Sequence, residues 1–188
     1  MKGAHIFLAD GFEDIEALGT LDILRRAGIS AKTISLYDFY EVTSAHGVTV
    51  LADDMLYDWL EEPVPADDIL IFPGGLPGAS NLAKEPGLMR LAKAHFAAGG
   101  PVAAICAAPG LVVSQLPGIA GRKVTCYDGF EDKLTAEGAI YTGEGTVTDG
   151  NLITGRGPGF ALEFGLAIVK FICGPEKAAA IRKGMLME

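Results

Sequence analysis

The chain has 188 residues, of which 49% are hydrophobic and 21% charged, and a formal net charge of -9. That length suits one domain, 1–188, with a full core, and the apolar content excludes a disordered chain. The acidic balance leaves no basic stripe for phosphates, so direct binding of nucleic acid or an anionic membrane is not expected; aldehydes, metabolites and proteins stay open as partners.

The first apolar run, Ala4–Ala9, stops at Asp10, far short of the roughly 20 residues that a membrane span needs. It carries no charged-then-apolar leader pattern, which makes a cytoplasmic location the expectation, and it reads as a buried strand over 3–9. Ile15, Leu18, Leu21 and Leu24 recur at three-residue spacing ahead of Arg25-Arg26-Ala27-Gly28, predicting a helix over about 13–27 with cations and a glycine at its end. A strand at 31–36 follows, and alternation around Ala45-His46-Gly47 makes Glu41–Asp53 a hairpin added to the sheet. The proline-containing stretch Glu61–Asp68 reads as a surface connection.

Strands at 68–72 and 101–105 are nearly continuous in apolar residues, as expected of strands covered on both faces. Helices are predicted over 86–98, 107–116 and 158–173, a further strand over 123–126, and a second hairpin over Thr146–Thr154 turning at Asp149-Gly150-Asn151. Short apolar runs alternating with helix-period stretches signify parallel strands joined by crossover helices, hence an α/β sandwich. Cys106, Cys126 and Cys173 are odd in number and far apart, without a CxxC pair, so neither a disulfide framework nor a metal site is expected, and no cofactor motif is present.

In such a sheet, loops at the carboxyl ends of the strands gather on one edge. Three distinctive ones are predicted there: Asp10–Glu16, Pro73-Gly74-Gly75, and Cys106-Ala107-Ala108. Small residues around Cys106 resemble a crowded strand-to-helix nucleophile elbow. A cysteine at a helix start, beside amide donors, gains stabilisation as the thiolate; an inert core cysteine is the alternative. The paired glycines permit close backbone approach, so the amides of Gly75 and Ala107 form a candidate oxyanion hole, against an ordinary loop. Glu16 sits near an apolar wall of Phe12 and Ile15, where burial raises a carboxyl pKa and suits it to moving a proton, against a solvated helix acid. Glu13 and Asp14, nearer the helix start, read as capping acids.

Together, Glu16, Pro73-Gly74-Gly75 and Ala103-Ala104-Ile105-Cys106-Ala107 make the chain resemble the ThiJ/PfpI superfamily. Within it, the chain is similar to the branch of the parkinsonism-associated deglycase and the bacterial ThiJ/YajL proteins, and the likeness continues through Leu21–Gly28, Gly78–Leu82 and Thr154–Gly159. The resemblance implies a flavodoxin-like three-layer sandwich, a homodimer, Cys106 as oxidisable nucleophile with Glu16 as its protonated partner, and Gly74, Gly75, Ala107, Tyr127, His46 and Arg26 around the pocket. Ala107 replaces the histidine that follows the cysteine in the PfpI peptidase branch, which disfavours peptidase activity. Tyr127 stands where the human-type branch has a histidine. His46 stands where relatives commonly have an arginine, so a cation contributed there from the partner subunit would become pH-dependent.

Two functions follow as expectations. The first is cofactor-independent detoxification of reactive carbonyls, of the glyoxalase III or protein and nucleotide deglycase type, acting on a small aldehyde or glycated substrate. The second is an oxidative-stress sensor or oxidation-linked chaperone that uses Cys106 with little turnover.

Overall fold

The computed structural model describes residues 2–60 and 64–187. It places the first strand, β1, at Gly3–Leu8, every residue of it buried. A widened π-helical turn at Ile15–Gly19 leads into helix α1 at Thr20–Arg26. The single predicted helix is therefore two elements, because its first turn opens to carry Glu16 inward. Strand β2 is Ser30–Ser35, and β3 (Glu41–Thr43) and β4 (Thr49–Leu51) form the expected hairpin. The hairpin is not part of the main sheet: it bonds instead to the loop after β1, through Gly11 N to Thr43 O at 2.8 Å and Ala45 N to Phe12 O at 2.8 Å. The two-residue strand β5 (Asp54–Met55) takes the sheet edge beside β2. The predicted 61–68 connection is described only from Val64, since 61–63 lie outside the described residues.

Strand β6 is Ile69–Phe72, followed by α2 at Gly78–Lys84 and α3 at Pro86–Ala97. Strand β7 is Val102–Ile105. The helix expected over 107–116 shrinks to one α-helical turn, α4 (Ala108–Leu111), and a 3-10 turn at Val113–Gln115. The 123–126 strand is only β8, Lys123–Val124; beyond α5 (Glu131–Ala136) it pairs with β9 (Ile140–Tyr141), outside the main sheet. Its place beside β7 is occupied by the second hairpin, β10 (Thr146–Asp149) and β11 (Leu152–Gly155). Helices α6 (Ala161–Cys173) and α7 (Pro175–Gly184) end the described chain.

The main sheet runs β10-β11-β7-β6-β1-β2-β5, parallel except for the edge strand β10. β1, β6 and β7 are buried at every position, which requires cover on both faces. Helix α6 packs against α1 and α7, and α2 against α3 and α4, and these helices surround the sheet. Phe7, Phe12, Phe72 and Phe164 are the largest fully buried side chains of the core. Chain order reverses between β1 and β6, which puts a crevice at the carboxyl ends of those two strands.

Candidate active site

Three loops meet in that crevice. The one after β1 carries Glu16, which is 1% exposed. It is pinned by a closed set of hydrogen bonds: Glu13 N to Gly74 O at 3.0 Å, Gly74 N to Glu16 Oε2 at 2.8 Å, and Glu16 N to Glu13 Oε2 at 2.8 Å. Glu13 is thus the capping acid expected of it. Phe12 is buried as anticipated, but Ile15 is exposed, since neighbouring residues of the turn point different ways. Burial, reinforced by the charge of Glu13, pushes the Glu16 carboxyl up to about 7 against the Gly74 amide and the Cys106 thiol, which favour its charged form.

Cys106 ends β7 with φ of 66°, a left-handed conformation that costs a non-glycine residue roughly 1–3 kcal/mol and concentrates at functional sites. Its backbone is held on both sides, N to Gly155 O at 2.9 Å and O from Tyr127 N at 2.8 Å. The elbow expected from the alanine-rich sequence is therefore present. Burial first, then the charge of Glu16 and its hydrogen bond, push the Cys106 thiol up to about 12, while the amides of Gly75 and Ala107 pull the other way. The single turn of α4 is too short to supply a helix field strong enough to reverse this.

Glu16 and Cys106 thus titrate as one unit. Taking a proton from the unit leaves one negative charge shared between carboxyl and sulfur, and a proton on Glu16 removes the repulsion that keeps the thiol neutral. Such a pair can pass a proton from sulfur to carboxyl.

Gly74, Gly75 and Ala107 stand where the sequence placed them. Tyr127 bonds the Cys106 carbonyl through its backbone. His46 reaches the rim, its Nδ1 2.7 Å from Asp14 Oδ2, and that contact raises its pKa. Arg26 is outside the site: it ends α1, ten residues and about 15 Å of helical rise beyond Glu16, with Nε donating to Asp22 Oδ2 at 2.7 Å. Helical spacing carries it away from the crevice. Gly155, Arg156 and Phe160 were not singled out from sequence as site residues, although Arg156 lies in the Thr154–Gly159 fragment that carried the resemblance.

Glu13, Asp14 and His46 bring donor atoms within 4.8 Å of one another. Both Asp14 oxygens are already engaged, by Ser44 Oγ at 2.7 Å and His46, and Glu13 Oε2 is held by the Glu16 amide. Among the described residues, no helix is long and apolar enough to cross a membrane.

The family model described as the DJ-1/PfpI family matches residues 2–171. The chain is 37% identical over 180 residues to "Protein DJ-1 homolog B" of Arabidopsis thaliana, covering 96% of this chain and 40% of that longer protein. It is 36% identical over 190 residues to "Glutathione-independent glyoxalase DJR-1.2" of Caenorhabditis elegans, covering 99% of this chain and 97% of that one. The crystal structure of Drosophila melanogaster DJ-1beta superposes with a TM-score of 0.90 at 33% identity, covering 100% of this chain and 98% of that one. With an elbow cysteine, a buried acid and a glycine turn on one sheet edge, and with matches along nearly its whole length, the chain belongs to the DJ-1/PfpI family.

Proposed function

We propose that the chain detoxifies reactive 2-oxoaldehydes, with Cys106 as nucleophile and Glu16 as proton carrier. The observation that carries this is the buried Glu16 carboxyl, poised at about 7 beside a thiol that needs a base. A relative named as a glutathione-independent glyoxalase supports the same chemistry.

The Cys106 sulfur forms a bond to the aldehyde carbon while its proton passes to ionised Glu16, and the aldehyde oxygen takes the π electron pair and then a proton to give a hemithioacetal. Glu16, having given its proton to the aldehyde oxygen, takes the hydrogen on that carbon as a proton to leave an enediol. The hydroxyl proton passes to the ketone oxygen, and Glu16 returns its proton to the former ketone carbon, giving a thioester of the 2-hydroxy acid. Water then cleaves the carbon–sulfur bond, restoring the thiol. One water is consumed, the aldehyde carbon is oxidised and the ketone carbon reduced, so no external oxidant or reductant takes part. The amides of Gly75 and Ala107, which favour the charged form of the sulfur, hold negative charge as it moves to the adjacent oxygen. Glycated substrates enter by the same addition.

The test is lactate production from methylglyoxal by wild type and Cys106→Ala. Turnover lost in the variant supports the proposal; equal rates remove Cys106 as nucleophile.

A further inference from the structure

The proposed chemistry occupies the aldehyde end of a substrate and leaves its substituent without a place. A cavity of about 260 Å³ is lined by Tyr127, Asp128, Arg156, Gly157 and Phe160 among others. Its walls grow from the two segments that clamp Cys106. Gly155, which accepts from Cys106 N, precedes Arg156, and Tyr127 donates to Cys106 O.

Two partly exposed aromatic rings border the cavity, Tyr127 at 49% and Phe160 at 39% exposure. Each is seated on a glycine. A Cβ on Gly157 would lie 3.1 Å from Tyr127 Cδ2, and the Phe160 ring fills the place of a Cβ on Gly145. The one cation is already occupied: Arg156 donates from Nε and Nη2 to Asp128 Oδ1 at 3.1 and 2.8 Å, and from Nη1 to Gly143 O at 3.0 Å. An entering carboxylate or phosphate would meet the Asp128 carboxylate that already neutralises this cation, whereas a flat neutral ring would stack on surfaces already in place. The volume is below the roughly 300–1,000 Å³ of pockets for drug-sized ligands, which suits a single ring.

Resting on the Cys106 reaction above, we infer that this cavity is a subsite for the substituent on the substrate ketone and takes a flat, uncharged aromatic group, making arylglyoxals better substrates than methylglyoxal. The covalent steps are those already given.

The test compares initial-rate kcat/KM for phenylglyoxal, 4-carboxyphenylglyoxal and methylglyoxal in wild type, Phe160→Ala and Phe160→Tyr. The expected wild-type order puts phenylglyoxal first; the phenylglyoxal to methylglyoxal ratio falls about tenfold in Phe160→Ala and is retained in Phe160→Tyr. A ratio unchanged by Phe160→Ala, or a preference for methylglyoxal or the carboxylated substrate, overturns the inference. Acetophenone, which has the ring and ketone but no aldehyde, separates the subsite from the reaction. Saturable NMR shifts at Tyr127 and Phe160 in Cys106→Ala protein support the subsite even where nothing is turned over. Their absence overturns it even where methylglyoxal is consumed.

Discussion

The Gly74 amide donates to Glu16 Oε2 at 2.8 Å, and only a residue without a side chain can do so from that position. A Cβ on Gly74 would lie 2.6 Å from Glu16 Oε2, 2.5 Å from Cys106 Cβ and 2.9 Å from the Cys106 sulfur. The glycine leaves room for the acid and the thiol to lie side by side.

Gly74→Ala is therefore expected to separate the pair. Overpacking of this kind costs about 1–3 kcal/mol, and misplacing the reacting groups by even about 1 Å costs about 100-fold in rate. Denaturant unfolding and methylglyoxal turnover measure the two effects. A variant with wild-type turnover would show that the spacing is not needed.

Glu16→Gln tests the acid by stability as well as by rate. The folded value of Glu16 is raised from 4.5 to about 7, so its contribution is fully present below about 4.5 and is lost as pH rises through about 7, a change of about 3 kcal/mol. Relative to wild type, the glutamine variant should gain stability between pH 4 and pH 8 in urea unfolding. Its turnover should fall about 100-fold or more. Parallel stability curves for the two proteins would mean that Glu16 is not held in a desolvated state.

His5 lies at the opposite, amino-terminal end of β1, where its Nε2 is 2.9 Å from Asp68 Oδ2 under the Trp59 ring, 4.1 Å between centroids. Burial lowers its pKa despite Asp68. A lowered histidine contributes stability above its unfolded value near 6.5 and loses it as pH falls through the folded value. Set against His5→Gln, wild type should lose stability on acidification below about 6.5, an effect opposite in sign to that of Glu16 and read from the difference between the two proteins. His95, also lowered by burial, accounts for a residual slope. An unchanged slope in His5→Gln would place the acid sensitivity elsewhere.

Arg26→Ala should leave turnover within about twofold and stability within about 0.5 kcal/mol, because its pair with Asp22 is exposed and far from the crevice. A loss of turnover exceeding tenfold would return Arg26 to the site.

The elements of the sheet core were legible because their cause is local. Ala4–Leu8, Ile69–Phe72 and Val102–Ile105 are apolar runs, and a run buried on both faces needs no partner to be recognised. Turn chemistry located the loops, since Gly74-Gly75 and the small residues around Cys106 announce close backbone approach. The fates of 41–53 and 123–126 were not legible: whether a short strand joins the main sheet depends on which segment occupies its edge, and β5 and β11 hold those places.

Residue types by themselves determined that an acid, two glycines and a cysteine lie at strand ends on one edge of an α/β sheet. Tertiary structure decided what those groups are. The Glu16 carboxyl accepts from an amide 58 positions away, and it is the dry surroundings assembled from three separate loops that raise both it and the Cys106 thiol. Desolvation and charge act through space, so no stretch of sequence contains them. The same holds for the aromatic cavity, whose Tyr127 and Phe160 become neighbours only because both flanking segments grip the backbone of one cysteine.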